Sequence, residues 1–290
     1  MENYVSCDVK GGLGNQLFQI ASVYEYADVY NKTPIFANVD YLYNNFNHER
    51  RTYWYTLFNN KLNVIDIIDF NKIYFNNLYE QKCFIYNKLP YINDNVKIIG
   101  YFQAHKYISE KTRLKMIELI YSNEEYMYEA YEKYNNIKSY FKNINGVDRV
   151  DEDDDDDMIS FHIRRGDYVL SQGYHNVLDE KYYKDAYEIS CKIGNKKRNV
   201  VVFSDDIPWC KETFTNKYDN IYFVELNNIG IEFILLSLFK NNVIANSSFS
   251  WFASFISSYK DKIVIAPNKW CGTREHQNYE DLFLPNMIRI

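Results

Sequence analysis

The chain has 290 residues, 47% of them hydrophobic, and a net charge of −6. That is ample apolar residue for the packed cores of one large domain or two modest ones, and it excludes wholesale disorder. The acidic balance excludes a global basic field for nucleic acid or anionic membranes, so any anionic ligand must be held by a few local cations.

The N-terminus, MENYVSCDVK, lacks a basic start followed by an apolar stretch, so no targeting segment is expected. Its run YVSCDV reads as a strand. KGGLGNQLFQIA follows and holds three of the chain's ten glycines, Gly11, Gly12 and Gly14, ahead of the helix-like LFQIASVYEYADVY. Such a turn allows close backbone approach by a ligand or a neighbouring loop. Leu17 stands where a dinucleotide fingerprint needs its next glycine, and no Lys-Ser/Thr pair supports a P-loop. Asn15 and Gln16 stand at the expected helix start, where Asn is a good N-cap, so a plain glycine turn with a capped helix is the competing reading. PIFAN reads as the second strand, and a long Tyr- and Lys-rich helix is expected from about Glu110 to Phe141.

The sharpest change in composition is DEDDDDD, Asp151 to Asp157. Seven adjacent like charges repel one another and read as a solvated linker or loop. A calcium or magnesium site is the alternative, but hard-cation sites space their ligands along a turn instead of running them together. The run divides a first domain (1–150) from a second (158–290), whose last residues are expected to pack back on the first.

The second half alternates strand, polar turn and helix. MISFHI (158–163) precedes RRGDY, NVVVFS (199–204) precedes DDIPW, VIA (243–245) precedes NSS and FSWFASFIS, and IVIA (263–266) precedes PNKW. Short apolar strands alternating with helices predict a parallel α/β sheet buried on both faces, which binds ligands beyond its strand carboxyl ends. Arg164 and Arg165 stand at such an end. A guanidinium fork matches phosphate oxygens, Gly166 permits the turn, Asp167 can brace one arginine, and His162 adds a donor at strand phase. A surface ion-pair turn is the alternative. Asn246, Ser247 and Ser248 precede a helix, where serine either caps or helps bind phosphate. Asp205 and Asp206 end a strand and can accept bonds from ribose hydroxyls or guanine, or hold a divalent cation. The greasiest run, IGIEFILLSLFK (229–240), is shorter than the ~20 apolar residues that span a bilayer. The five cysteines are odd in number and scattered, as expected of reduced thiols in a cytosol.

Taken together, GGLGNQLFQ, GYFQAHKY (100–107), HIRRGDY, FSDD, and IEFILLSLFKNNVIANSSFSWFAS followed by IAPNKW resemble the α-1,2-fucosyltransferases of the bacterial and viral, GT11-like type, in that family's order. Glu232-Phe233 and Trp251-Phe252-Ala253 depart from its usual Asp-Met and Trp-Trp-Gly, and the acidic run is not a family feature. The resemblance implies a GT-B-like α/β architecture in which two Rossmann-like domains face each other across a cleft. It implies an inverting transfer of L-fucose from GDP-fucose to a hydroxyl of a galactose-containing glycan, without a metal or other cofactor. Arg164, Ser247 and Ser248 then hold the β-phosphate, with Arg165 and Asn246 beside them, and His162 with Asp205 or Asp206 serves the nucleoside end. The backbone of Gly11, Gly12 and Gly14 closes over the diphosphate with Gln16, and Asn15 reaches the reacting centre. Asp167 is the candidate general base, with bracing of Arg165 as its other reading. A soluble cytoplasmic enzyme without nucleic-acid partner or integral membrane segment is expected. The rival expectations are a related transferase with another nucleotide sugar or linkage, and a non-catalytic glycan-binding relative.

Overall fold

The computed structural model describes residues 3–43, 49–145, 157–171, 173–272 and 278–290. The chain divides into two compact units, Met1–Glu124 with Gln277–Leu284, and Glu125–His276 with Pro285–Ile290.

In the first unit, β1 (Tyr4–Cys7) leads through the glycine turn to α1 (Leu13–Tyr30) and then β2 (Thr33–Pro34). β3 (Phe36–Ala37), the hairpin strands β4 (Tyr41–Tyr43) and β5 (Glu49–Arg51), β6 (Val64–Ile65), α2 (Ile67–Phe70), β7 (Asn76–Tyr79) and β8 (Val96–Ile99) follow. A 3₁₀ turn at His105–Tyr107 and α3 (Glu110–Ile120) complete it. The main sheet is parallel throughout, in the order β2-β1-β8-β7. PIFAN is divided between two sheets, because Phe36 pairs with Val64 instead of extending β2. The residues 278–284 are tied to this unit by Asp281, which accepts from the Tyr86 N–H at 2.8 Å and whose carbonyl accepts from the His105 N–H at 2.8 Å.

The second unit takes α4 (Glu124–Asn145), so the divide falls before this helix and not at the acidic run. Tyr134 of α4 packs edge-on against Phe239, and Tyr140 against Tyr222. The single long helix expected from Glu110 is in fact two, α3 and α4. They part at Ser122 and Asn123, whose side chains donate to the carbonyls of Leu119 (2.8 Å) and Thr56 (2.7 Å), offering the backbone a local alternative to the helix. Of the acidic run, Asp151–Asp156 lies outside the described residues, and Asp157 pairs with Lys196 at 2.6 Å.

The second sheet comprises β9 (Met158–Ile163), β10 (Asn199–Ser204), β11 (Ile221–Phe223), β12 (Asn241–Val243), β13 (Val264–Ala266) and β14 (Ile288–Arg289). Between them run α5 (Gly166–Leu170), α6 (Glu180–Gly194), α7 (Ile207–Phe214), α8 (Ile229–Ser237) and α9 (Ser248–Ile256). All six residues of β9 are buried, as a central strand covered on both faces requires. Ile159, Phe161 and Ile163 face Tyr183, Ala186, Cys210 and Phe214 of α6 and α7. The alternate residues face the other layer, where the His162 ring stacks on Phe249 at 5.4 Å and Phe249 meets Phe233. The sheet is parallel, in the order β11-β10-β9-β12-β13-β14. The chain thus moves outward from β9 in one direction, then returns to β9's other side and moves outward again. This is the doubly wound Rossmann order.

Candidate functional site

The strand order selects the place. Winding reverses between β9 and β12, and in such sheets the crevice outside the carboxyl ends of those strands receives the ligand. Arg164 is the first residue after β9, and Asn246-Ser247-Ser248 follows β12. Tyr168 joins the two turns by donating its hydroxyl proton to the Asn246 carbonyl at 3.0 Å.

Arg164 is one-quarter exposed and forked between two carboxylates, Asp167 at 2.7 Å and Asp205 at 2.9 Å. The bracing partner of Asp167 is therefore Arg164, not Arg165. Arg165 instead lies over the Trp209 ring at 3.7 Å and donates through Nε to Asp206 at 3.0 Å. Asp205 also accepts from the Arg165 backbone N–H at 2.8 Å, and Asp206 caps α7 by accepting from the Trp209 N–H at 3.3 Å. The reach of Asp205 explains Gly166: a Cβ there would lie 2.5 Å from the Asp205 carboxylate. Two guanidinium groups thus face three carboxylates, so the cluster has no surplus of positive charge. What Arg164 offers an anion is a fixed set of N–H donors.

His162 adds no positive charge to them. Burial first, and the nearby Arg164 second, hold its pKa down to about 3, so the ring is neutral. Its Nδ1 is buried without a hydrogen-bond partner. Asn246 is also buried and spends its amide N–H groups on the carbonyls of Asn176 (2.9 Å) and Trp270 (2.6 Å), which fastens the surrounding loops to the turn after β12. Ser247 is the N-cap of α9 and makes no side-chain capping bond, and Ser248 opens the helix. The positive end of that helix adds a second electrostatic element favourable to an anion.

Glu232 belongs to this cluster and is absent from the site read from sequence. It sits in the first turn of α8, which begins at the sheet's carboxyl edge, and it is partly buried. Burial raises its pKa to about 7, with Asp205 pushing the same way and Arg164 opposing. The available signal was one acid inside the apolar run IGIEFILLSL after a strand.

The first unit gathers the other candidates. Gly11 takes a left-handed φ of 80°, which its lack of a Cβ permits. Helix α1 is capped by the backbone of Gly12, so the expected Asn cap is corrected: Gly14 and Asn15 lie inside the first turn. Buried Gln16 donates through Nε2 to the carbonyls of Gly11 (3.0 Å) and Arg51 (2.8 Å), bracing the turn against the β4–β5 hairpin. Asn15 Oδ1 accepts from Gln103 Nε2 at 2.6 Å, which brings GGLGN and GYFQ together. Among the described residues no helix is long and apolar enough to cross a membrane, and no group of three or more His, Cys, Asp or Glu side chains is placed to hold a metal ion.

Comparison with known proteins matches residues 4–290 to the family described as Glycosyl transferase family 11. The chain is 39% identical over 117 residues to the O-antigen biosynthesis glycosyltransferase WbnK of Escherichia coli, covering 38% of this chain and 38% of that protein. It is 33% identical over 169 residues to an alpha-1,2-colitosyltransferase of Escherichia coli, covering 55% of this chain and 57% of that protein. The chain therefore spans well under two thirds of either relative's length. Among solved structures it is similar to the fucosyltransferase NodZ from Bradyrhizobium, at 12% identity and a TM-score of 0.46, covering 88% of this chain and 94% of that one.

Proposed function

The chain belongs to glycosyl transferase family 11, and on that premise we propose that it is an inverting GT-B-type enzyme moving L-fucose from GDP-fucose to a galactoside hydroxyl, forming an α-1,2 linkage. The observation that carries this reading is the placement of Arg164 beside the start of α9 at the winding reversal of the second sheet. When an acceptor hydroxyl attacks the anomeric carbon, the C–O bond to the β-phosphate breaks and its electron pair stays on the phosphate. Arg164 N–H groups not used by Asp167 and Asp205, with the positive end of α9, stabilise that developing charge. Asn15 is taken to reach the reacting centre. Asp167, held to Arg164, positions the guanidinium, and a dissociative transfer leaves little work for a general base.

Mass spectrometry and linkage analysis of products from GDP-fucose and a panel of β-galactosides should show α-1,2-fucosylated galactose. A second reading follows from the colitosyltransferase relative: the donor sugar is colitose, which is fucose without its 3-hydroxyl. Turnover with GDP-colitose and none with GDP-fucose would establish it. Binding of GDP with no product from either donor would favour a non-catalytic role.

The reaction is expected to proceed fully in EDTA. The carboxylates that could hold a divalent cation, Asp205 and Asp206, are already engaged by Arg164, Arg165 and backbone N–H groups. A loss of turnover restored by magnesium or manganese would show that a cation displaces those pairs.

A further inference from the structure

The Asn15 side chain is held from a distance. Glu80, the residue after β7, takes two backbone N–H groups in its carboxylate, those of Tyr101 (2.8 Å) and Phe102 (3.0 Å). It reaches them because residue 100 is glycine, where a Cβ would lie 2.3 Å from the Glu80 Cβ. Between those bonds and the next turn, Phe102 is fixed at a φ of 54°, a left-handed conformation uncommon for a bulky side chain and kept only where the surroundings over-determine it. The Phe102 ring is fully buried, edge-on to Tyr107 at 5.3 Å, and its carbonyl accepts from the Ala104 N–H at 2.9 Å. This backbone twist aims Gln103 at Asn15. Because Gln103 donates to Oδ1, the acceptor end of the Asn15 amide faces Gln103 and its N–H end is turned towards Gly11. A Cβ on Gly11 would lie 2.5 Å from Asn15 Nδ2.

We propose that Glu80 is a positioning residue that acts through Phe102 and Gln103 to fix which end of the Asn15 amide faces the glycine turn. The proposal rests on the reading of Asn15 as part of the reacting centre. It explains an ionisable side chain turned into a loop of backbone donors, and it gives GYFQ a task distinct from binding: presenting one amide to another.

A double-mutant cycle tests it. Glu80→Gln keeps the shape but sets an amide NH₂ against one of the two backbone N–H groups. It should lower kcat about tenfold or more, as expected when a reacting group is misplaced, while KM for GDP-fucose and calorimetric affinity for GDP stay unchanged. In an Asn15→Ala background the same substitution should change kcat by less than about twofold, because groups acting through one another are not additive. Gln103→Leu should behave in the same way and serves if Glu80→Gln does not fold. Equal losses in both backgrounds, or no loss in either variant, would overturn the proposal. So would a crystal structure of Glu80→Gln with Phe102 still left-handed and Gln103 still bonded to Asn15, a readout independent of turnover. Full turnover in Asn15→Ala alone would overturn the catalytic reading of Asn15 and this proposal with it. Additive losses alongside a reduced but measurable kcat in Asn15→Ala would sink the proposal alone.

Discussion

Arg164→Lys is expected to lower kcat on the order of a hundredfold, the ~3 kcal/mol typical of losing one preorganised donor to a transition-state oxyanion. Lysine keeps the charge and loses the fork. In the structure the fork is already shared between Asp167 and Asp205, so its remaining N–H groups are oriented before any ligand arrives. A single ammonium cannot meet both carboxylates and a phosphate in those directions. The lost bonds strengthen as the leaving group takes up charge, so kcat should fall more than donor affinity. Loss of the two ion pairs should cost about 1 kcal/mol of stability, given their partial exposure, or a few degrees in Tm. Arg165→Lys is the comparison. Its stacking on Trp209 and bond to Asp206 are structural, so it should lower Tm by a similar amount with a much smaller change in kcat. Both quantities measured on one preparation of each variant decide the matter. Near-normal turnover in Arg164→Lys would make Arg164 a structural ion-pair residue.

Glu232→Gln is expected to stabilise the protein in a pH-dependent way. The carboxyl has an ordinary value of 4.5 in the unfolded chain and about 7 in the fold, chiefly through burial. Between those values the unfolded chain gives up the proton and the folded one keeps it, so the unfolded state binds fewer protons and stability falls as pH rises. The penalty is absent below pH 4.5, grows through the window to about 3 kcal/mol, and is constant above it. Glutamine removes it. The Tm of Glu232→Gln minus that of the parent should therefore rise by several degrees between pH 4.5 and 7 and level off above pH 8. A gap that does not change with pH would mean that Glu232 ionises normally in the fold.

Some of this was legible in the residues. β9 and β10 span the residues that the runs MISFHI and NVVVFS mark out. A strand buried on both faces reads as a near-continuous apolar run, and that signal lies within six neighbouring residues. The placement of Arg164, Arg165 and the Asn246-Ser247-Ser248 turn beyond strand ends follows from the same local alternation. Local preference misled where two rules competed. Asn15 looks like a cap, yet the backbone of Gly12 starts α1 and leaves Asn15 inside it. Ser122 and Asn123 divide one expected helix into two.

The chemistry within the site was decided by tertiary structure. That Asp205 belongs to Arg164 depends on β10 lying beside β9, and the residues are 41 apart in sequence. Asn15 meets Gln103 across 88 positions because β8 lies beside β1. His162, next to the arginines in sequence, is neutral chiefly because folding buries its ring against Phe249. Glu232 has a raised pKa because folding takes it out of water next to Asp205. Periodicity and turn chemistry determine which segments are strands and where their polar ends fall, since both depend on near neighbours in the chain. Charge state and hydrogen-bond pairing depend on which distant groups share a low-dielectric space, and strand order alone brings those groups together.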